Sequence, residues 1–222
     1  IMKCDLFQVY GLTETAGAIT ILMPEDHDPE KGKLRSCGQA LNSVEIKVVD
    51  DEGNEVKTGE IGEVISKSPL NMKGYWNRPD ATEEAIKEGW FYSGDAGFFD
   101  DEGYLYIHDR VKDMIVSGGE NIYPAEVENA LMSHPEIADA AVIGVPDEKW
   151  GESVKGFVVL QPDSSLDETE IISYTRTQIA GYKCPKTINF IEALPRNPSG
   201  KILRRELREP FWEGKDRMVS GN

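Results

Sequence analysis

The stretch Asp109-Arg110-Val111-Lys112 marks the point at which the pattern of the sequence changes. Before it, short apolar runs alternate with turns rich in glycine and aspartate, which is typical of antiparallel strands. After it, strand-like runs alternate with segments of helical spacing, which is typical of an α/β domain. The sequence therefore predicts a mixed α/β (α+β) fold in two parts: a small, mostly antiparallel β unit up to residue 109, and a compact α/β domain over residues 110–222.

Upstream of this boundary we expect mainly strands. Apolar runs predict them on both sides of a polar loop within residues 1–23, and at residues 44–49, 63–66, 98–99 and 104–107. Residues 50–54 and 100–103 are rich in aspartate and glycine and predict hairpin turns. Residues 24–32 are acidic and contain two prolines, so they predict an exposed loop, whereas residues 81–87 predict a brief helix.

Downstream, strands and helices alternate. Strands are predicted at residues 114–116, 140–145, 156–160 and 188–191, and a helix at residues 167–179. Another helix is expected to begin at Pro124, because the first position of a helix needs no backbone N–H. Its apolar residues Val127, Ala130 and Leu131 share one face, so we expect them to be buried.

Charge, hydropathy and cysteine content argue against several partners and kinds of site. Lys and Arg total 24 against 40 Asp and Glu, a formal net charge of −16, which disfavours nucleic acid and anionic membrane surfaces. No apolar run approaches the roughly 20 residues of a transmembrane segment. Cys4, Cys37 and Cys184 are odd in number and widely spaced, which suits neither a disulfide framework nor a zinc site. Reduced thiols and a cytoplasmic location are therefore expected.

The first candidate site is the sequence YGLTET at residues 10–15. It combines an aromatic ring, two hydroxyls and a carboxylate, which suit a nucleotide and its magnesium ion. In this interpretation Tyr10 lies near adenine, Thr13 at the α-phosphate, and Glu14 at Mg²⁺. The alternative is an ordinary strand-to-helix turn in which Gly11 supplies a permissive backbone.

The second candidate is Asp95, which lies between Gly94 and Gly97. The two oxygens of one carboxylate can accept both hydroxyls of a ribose. The alternative is a turn or capping aspartate, the usual role of this residue among glycines.

The third candidate is the boundary stretch itself. Arg110 is always charged and offers forked donors to ribose or phosphate oxygens. The alternative is a surface ion pair of Arg110 with Asp109 or Asp113. Lys112 lies where a hinge would absorb a change in backbone conformation.

Two loops of the second part complete the set. Gly118-Gly119 would let the backbone approach a ligand closely, although such a pair is more often only a turn. Residues 195–201 (PRNPSGK) present Lys201 beside a glycine in a locally basic stretch. A P-loop is excluded because Ile202 occupies its Ser/Thr position. The alternative is a solvated helix start in which two arginines pair with nearby glutamates: Arg204 and Arg205 with Glu206 and Glu209.

In this order and spacing, the motifs resemble the later core motifs of the adenylate-forming superfamily, which includes acyl-CoA synthetases, luciferases and peptide-synthetase adenylation domains. The resemblance covers essentially the whole chain. Residues 71–79, followed by Ala81-Thr82, are most similar to acyl-CoA synthetases. The family usually has Thr where this chain has Ser93, a change that keeps the hydroxyl.

The resemblance implies a two-step reaction. A carboxylic acid attacks the α-phosphate of ATP to give acyl-AMP and pyrophosphate, and the thiol of coenzyme A then displaces AMP. The co-substrates and cofactor would be ATP, coenzyme A and Mg²⁺. Residues 1–109 would be the end of the large AMP-binding domain and residues 110–222 its mobile C-terminal lid, which alternates between the two steps.

The same resemblance implies roles for individual residues. By this reasoning the catalytic residues are Lys201, Thr13 and Glu14; the nucleotide-binding residues are Tyr10, Gly11, Thr13, Asp95, Arg110 and Lys201; the Mg²⁺ ligand is Glu14; the CoA-binding residues are Gly118 and Gly119; and the hinge is Lys112.

The family also carries an earlier Ser/Thr/Gly-rich loop for the β- and γ-phosphates, and this sequence has no such loop. We therefore expect the chain to be the C-terminal part of an acyl-CoA synthetase, inactive without its N-terminal region. One alternative is a part of another adenylate-forming enzyme, such as an aryl-acid ligase, a luciferase-like enzyme or a peptide-synthetase domain. Another is a nucleotide- or CoA-binding module without catalysis.

Overall fold

The computed structural model describes residues 4–214. The chain divides into two compact units between Val111 and Lys112, two residues after the predicted boundary. Both units combine sheets with short helices, so the predicted mixed α/β fold is confirmed. The ends of the two predicted parts, residues 1–3 and 215–222, lie outside the described residues.

The first unit is built on antiparallel sheets. One sheet has the strand order β1-β2-β3; the other has the order β4-β5-β7-β6, with β8 beside β7. Every pairing is antiparallel, which confirms the predicted character of this region. Its elements are β1 (Gln8–Leu12), β2 (Gly17–Leu22), β3 (Gln39–Ala40), β4 (Glu45–Val49), β5 (Gly62–Lys67), α1 (Pro79–Ala85), β6 (Ile86–Lys87), β7 (Trp90–Phe99) and β8 (Leu105–Arg110).

A small apolar core holds this unit together. Val48, Val64 and Leu105 are at most 3% exposed and pack against one another. The segment before β3 is tied to β8, because Ser36 Oγ donates to the carbonyl of Leu105 over 2.9 Å. The N–H of Leu105 donates in turn to the carbonyl of Gly38 over 2.9 Å. The two sheets are therefore joined by backbone hydrogen bonds as well as by apolar contacts.

The acidic segment at residues 24–32 is more ordered than predicted. It forms two 3₁₀ turns, Pro24–Asp26 and Pro29–Lys31. Asp26 is buried rather than solvated, and its carboxylate accepts hydrogen bonds from Lys31 (3.1 Å) and from the hydroxyl of Tyr104 (3.0 Å). The expectation of a fully exposed loop was therefore wrong at Asp26, because Lys31 from the same segment and the distant Tyr104 satisfy the carboxylate.

The second unit has one five-stranded sheet with helices. Its order is β10-β9-β12-β11, and β13 lies parallel to β12 while the other pairings are antiparallel. Its elements are β9 (Ile115–Ser117), β10 (Glu120–Ile122), α2 (Pro124–Met132), β11 (Ile137–Asp147), β12 (Gly151–Leu160), α3 (Glu168–Gln178), β13 (Thr187–Phe190) and α4 (Arg204–Trp212).

Local signals explain the helices of this unit. Helix α2 begins at Pro124 as predicted, and its apolar residues Val127, Ala130 and Leu131 are buried. Helix α3 begins with a capping box, because the carboxylate of Asp167 accepts the N–H of Glu170 and the reverse bond also forms. The predicted positions of both helices are therefore confirmed, and each follows from its first residues.

Several boundaries differ from the prediction. The brief helix expected at residues 81–87 begins two residues earlier, at Pro79, and its last two residues pair as β6. Strand β12 begins at Gly151 rather than at residue 156. Within residues 4–214, no helix is both long enough and apolar enough to cross a membrane.

Candidate functional site

The Asp95 cluster, defined as Tyr10, Asp95 and Arg110, brings together three residues predicted to bind a nucleotide. The hydroxyl of Tyr10 donates to Asp95 Oδ2 over 2.7 Å, and Arg110 Nη1 donates to Asp95 Oδ1 over 2.8 Å. The side chain of Asp95 is 11% exposed, whereas that of Arg110 is 45% exposed. The three residues lie on β1, β7 and β8, so the fold rather than a single loop assembles the cluster.

A bulge in β7 places Asp95. Glu63 pairs with Ala96 and Ile65 with Tyr92, so three residues of β7 face the single residue Val64. Such a bulge bends a strand locally and redirects side chains. The predicted alternative, a turn or capping aspartate, was wrong, because Asp95 lies inside a strand.

Hydrogen bonds hold the bulge in place. Ser93 Oγ donates to the carbonyl of Val64 over 2.6 Å and accepts the N–H of Asp95 over 3.0 Å. The carboxylate of Glu63 accepts the N–H of Gly94 over 2.8 Å, and burial raises the pKa of Glu63. Ser93, the residue that departs from the family pattern, therefore uses its hydroxyl to fix the backbone beside Asp95.

Tyr10 contacts protein on two sides. Its ring packs against the core of the first unit, and its hydroxyl is committed to Asp95. Burial, reinforced by the charge of Asp95, raises the pKa of Tyr10, so the phenol stays protonated and remains a donor. Stacking of Tyr10 on adenine stays a prediction, and the geometry adds the function of holding Asp95.

The turn at Thr13–Thr15 is a 3₁₀ turn between two strands, so the predicted alternative of a strand-to-helix turn was wrong. Thr15 holds this turn: its buried hydroxyl contacts the backbone of Leu12 and Gly17. Thr13 is exposed, and within residues 4–214 its hydroxyl has no hydrogen-bond partner. The hydroxyl of Thr13 is therefore available to a ligand.

Gly11 is required by packing. A Cβ at this position would lie 1.9 Å from the carbonyl oxygen of Gly17 on the paired strand. Close approach of the two strands, rather than a special backbone conformation, excludes a side chain at Gly11.

Glu14 is held from the segment before α1. The hydroxyl of Tyr75 donates to Glu14 Oε1 over 2.8 Å, and the N–H of Met72 donates to the carbonyl of Glu14 over 2.7 Å. In the described part of the chain, Oε2 has no hydrogen-bond partner, and no group of three or more acidic, His or Cys side chains could hold a metal. A single oriented carboxylate fits Mg²⁺, which is often bound by one or two carboxylates together with substrate phosphates.

The ion pairs around the unit boundary differ from the predicted alternative. Arg110 pairs with Asp95, and Asp113 pairs with Arg208 over 3.0 Å. The carboxylate of Asp109 accepts the backbone N–H of Arg110 over 2.8 Å. The prediction of a pair between the Arg110 guanidinium and Asp109 or Asp113 was therefore wrong. Lys112 is the first residue of the second unit.

Gly118 and Gly119 form the two-residue turn between β9 and β10. Their φ values are +63° and +87°, which suit glycine in a tight hairpin. The N–H of Gly118 donates to the carbonyl of Trp150 over 2.8 Å, and a Cβ at Gly118 would lie 2.7 Å from the ring of Trp150. The geometry confirms the turn, and the CoA-binding role stays a prediction.

The sequence interpretation missed Trp150. The residue is 43% exposed, and the ammonium groups of Lys149 and Lys186 lie 4.5 and 5.6 Å from its ring centroid. The signal available was a tryptophan directly before Gly151, at the start of an apolar strand. It identifies a large ring near the surface but does not predict its contact with Gly118.

The lysine loop, residues 195–201, is organised by Asn197. Its Oδ1 accepts the backbone N–H groups of Ser199 and Lys201 over 3.0 and 2.9 Å. Arg196 donates to the carbonyl of Gly200 and to Asp139, both over 2.6 Å. Lys201 is exposed and forms no salt bridge with any residue that the structure describes. The loop backbone is therefore fixed, while the lysine charge remains available.

Of the two arginines after this loop, Arg205 pairs with Glu209 as the alternative proposed, whereas Arg204 does not pair as proposed. Arg204 pairs with Glu128 of α2 over 2.7 Å rather than with Glu206. Arg205 reaches Glu209 only at 3.9 Å, and both side chains are largely exposed. Helix α4 is therefore anchored by a contact with α2 that a reading of the local sequence could not reveal.

Sequence comparisons identify two matching family models. Residues 1–76 match the AMP-binding enzyme model, and residues 126–201 match the model of the AMP-binding enzyme C-terminal domain. The two matches fall in the first and the second unit, in the order in which the units occur.

Curated relatives match almost the whole chain. It is 44% identical over 220 residues to the fatty acid–[acyl-carrier-protein] ligase ScoC of Streptomyces coeruleorubidus, covering 99% of this chain and 42% of the relative. It is 48% identical over 207 residues to the long-chain-fatty-acid–CoA ligase FadD13 of Mycobacterium tuberculosis, covering 93% and 40%. The chain thus spans about two fifths of the length of these relatives.

Solved structures show the same likeness. The o-succinylbenzoate CoA synthetase MenE of Bacillus subtilis, in complex with its acyl-adenylate intermediate, is 44% identical with a TM-score of 0.83, covering 90% of this chain and 40% of that chain. The same enzyme with ATP and a magnesium ion is 43% identical with a TM-score of 0.81, covering 90% and 41%.

Proposed function

Because the chain belongs to the AMP-binding enzymes, we propose that the whole protein is an AMP-forming acid–thiol ligase. It activates a carboxylic acid with ATP and transfers the acyl group from acyl-AMP to coenzyme A. The observation that carries this proposal is the Asp95 cluster, in which a carboxylate and a guanidinium from separate strands are held together.

Binding of the nucleotide falls to the first unit. Asp95 accepts the ribose hydroxyls, since its two oxygens match a vicinal diol, and Arg110 donates to ribose or phosphate oxygens. Tyr10 keeps the carboxylate in place, Gly11 permits the strand packing beneath it, and Thr13 donates its hydroxyl to the α-phosphate. These contacts orient ATP and therefore act through positioning.

In adenylation the carboxylate of the substrate attacks the α-phosphate of ATP, so negative charge accumulates at the reacting centre. Lys201 supplies a fixed positive charge there, an arrangement typical of phosphoryl-group chemistry. Glu14 would hold Mg²⁺, which neutralises phosphate charge when bound. The orientation that Tyr75 gives to Glu14 supports this role.

Thioester formation uses the second unit differently. We propose that residues 112–222 form a mobile lid, that Lys112 is its hinge, and that Gly118 and Gly119 meet the pantetheine of CoA after the lid has turned. The tight hairpin at these glycines supports the role, because it presents backbone without side chains.

The thiol acceptor has a second candidate. The relative ScoC is a ligase for an acyl carrier protein, and the chain matches it over 220 residues. An acyl carrier protein could therefore replace CoA as acceptor. Fatty acids are the first substrates to test, because both curated relatives described above are fatty acid ligases. A cytoplasmic location stays a prediction.

The test uses the whole protein that carries this sequence. We expect acid-dependent pyrophosphate exchange, and thioester formation with CoA or with a phosphopantetheinylated carrier protein. Asp95→Asn removes the charge but keeps the shape, so the Kd for ATP should rise roughly 10- to 100-fold, as expected for lost hydrogen bonds to a charged group. Titration calorimetry measures this change.

The matched control is Asp101→Asn, which changes an exposed carboxylate in the turn after β7 and should leave the Kd unchanged. An ATP affinity equal to that of the wild type in Asp95→Asn would contradict the proposed site. Absence of pyrophosphate exchange with every acid tested would contradict the proposed function.

A further inference from the structure

A shielded ion pair joins the last helix to the beginning of the second unit. Arg208 Nη2 lies 3.0 Å from Asp113 Oδ1, and the two side chains are only 17% and 12% exposed. The residues are 95 positions apart. Asp113 directly follows Lys112, the first residue of the unit. The pair therefore connects helix α4 to the segment in which the proposed hinge lies.

Helix α4 is also the element that follows the lysine loop. It begins at Arg204, three residues after Lys201. Arg204 contacts Glu128 of α2 through both carboxylate oxygens, at 2.9 and 2.7 Å. The indole N–H of Trp212 donates to the carbonyl of Gly144 over 3.0 Å. Displacement of this helix would therefore displace the loop that carries Lys201.

The apolar contacts of α4 do not by themselves set its position along the sheet. Leu207 and Phe211 of α4, together with Ile202 just before it, pack against the cluster of Ala141, Ile143, Phe157 and Leu194. Apolar packing is non-directional, whereas a charge-assisted hydrogen bond has a defined geometry. A shielded ion pair adds little net stability because its charges lose solvation, so its main effect here is geometric.

We propose that Arg208 is a positioning residue that fixes the distance from the hinge at Lys112 to the catalytic Lys201. The inference rests on the proposed function. With Asp113 held to α4, a backbone rotation at Lys112 moves the lysine loop with it as one body. Without the pair, part of that rotation is lost between Asp113 and α4, and Lys201 does not reach its productive position.

The test compares two variants in the whole protein. Arg208→Gln should lower adenylation, measured as pyrophosphate exchange, roughly 10- to 100-fold, because small misplacements of a catalytic group have effects of that size. The conversion of a supplied acyl-adenylate to thioester should be unchanged, since that step does not use Lys201; this also shows that the variant is folded. Arg205→Gln is the matched control on the exposed side of the same helix and should match the wild type.

A double-variant experiment separates positioning from a general structural effect. If Arg208 acts through Lys201, Arg208→Gln should lower adenylation no further in a Lys201→Ala background, because groups that act as a unit are not additive. Arg208→Lys, which keeps the charge but loses the planar geometry, should recover part of the lost rate.

The outcomes distinguish the inference from the function on which it rests. If Lys201→Ala leaves pyrophosphate exchange intact, the proposed function of Lys201 fails. If Lys201→Ala abolishes exchange but Arg208→Gln behaves as the wild type, only the inference about Arg208 is overturned. Equal loss of both half-reactions in Arg208→Gln also overturns it, because that result indicates general destabilisation.

Discussion

The Asp95 cluster and the lysine loop both carry charged groups that we propose to contact the nucleotide, but the two sites differ in how those charges are held. In the cluster each charged group already has a protein partner, and Asp95 is 11% exposed. In the loop the backbone is hydrogen-bonded, whereas Lys201 is exposed and pairs with no described residue. A binding site can be assembled before its ligand arrives, whereas a group required in only one of two steps must stay free to leave.

The largest effect should come from the loop. Lys201→Ala removes the charge that the loop presents and should lower adenylation about 10²- to 10³-fold, the usual range for losing one electrostatic contact to a transition state. Thioester formation from supplied acyl-adenylate should persist. Rapid-quench assays of the two half-reactions measure both rates, and Arg205→Ala controls for loss of a nearby cation.

If Lys201→Ala lowered both half-reactions equally, the difference that we propose between the lysine loop and the Asp95 cluster would be contradicted. Such a result would mean that Lys201 takes part in both steps and is as permanent a component of the site as Asp95.

A smaller effect should come from the cluster. Tyr10→Phe removes one donor to Asp95 while the ion pair with Arg110 remains. Because the carboxylate is then less well oriented, the binding free energy of ATP should weaken by about 1.5 kcal/mol, which corresponds to roughly a tenfold higher Kd. Because burial and the charge of Asp95 raise the pKa of Tyr10, the phenol is protonated throughout the working range, and the effect should be the same at neutral and mildly alkaline pH. Calorimetric titrations at two pH values test this.

The matched control for that variant is Tyr104→Phe, which removes a similar hydroxyl–carboxylate bond at Asp26. A decrease in ATP affinity in Tyr104→Phe as large as that in Tyr10→Phe would show that the cluster has no special function.

The smallest effect concerns the support of the bulge. Burial raises the pKa of Glu63, so the folded state binds its proton more tightly than the unfolded state does. The contribution of Glu63 to stability is therefore fully present below its unfolded pKa and is lost as pH rises through its folded pKa. A glutamine side chain cannot ionise, so Glu63→Gln should not lose stability in this way. The free energy of unfolding of the variant, relative to that of the wild type, should therefore increase as pH rises from the ordinary glutamate range to neutrality.

Thermal unfolding of the whole protein across that pH range measures the difference, with exposed Glu60→Gln as the control. A constant difference between Glu63→Gln and wild type at all pH values would contradict the assignment.

The sequence predicted those features that depend on neighbouring residues. The hairpin turn at residues 100–103 follows from local aspartate and glycine, and the start of α2 follows from Pro124. These signals act within a few residues, so they do not depend on the rest of the fold.

The features that were missed depend on contacts between distant residues. Tyr10 and Asp95 are 85 positions apart, and Arg204 and Glu128 are 76 apart. Asp95 and Arg110 were each predicted from their local sequence to contact a nucleotide, a role that stays a prediction, and nothing in the local sequence indicated that they bind each other. The bulge was hidden for the same reason, because it exists only relative to the register of β5.

That bulge determines which deletions in β7 the sheet can tolerate. Side chains alternate between the two faces of a strand, and β7 carries two residues more than β5 between their flanking pairs, so the inward and outward faces stay in phase on both sides. Deleting one residue from Ser93–Gly94–Asp95 would exchange the faces of everything that follows in β7 and disrupt the core. Deleting Gly94 and Asp95 together would keep the phase and yield a folded sheet that lacks the central carboxylate of the Asp95 cluster.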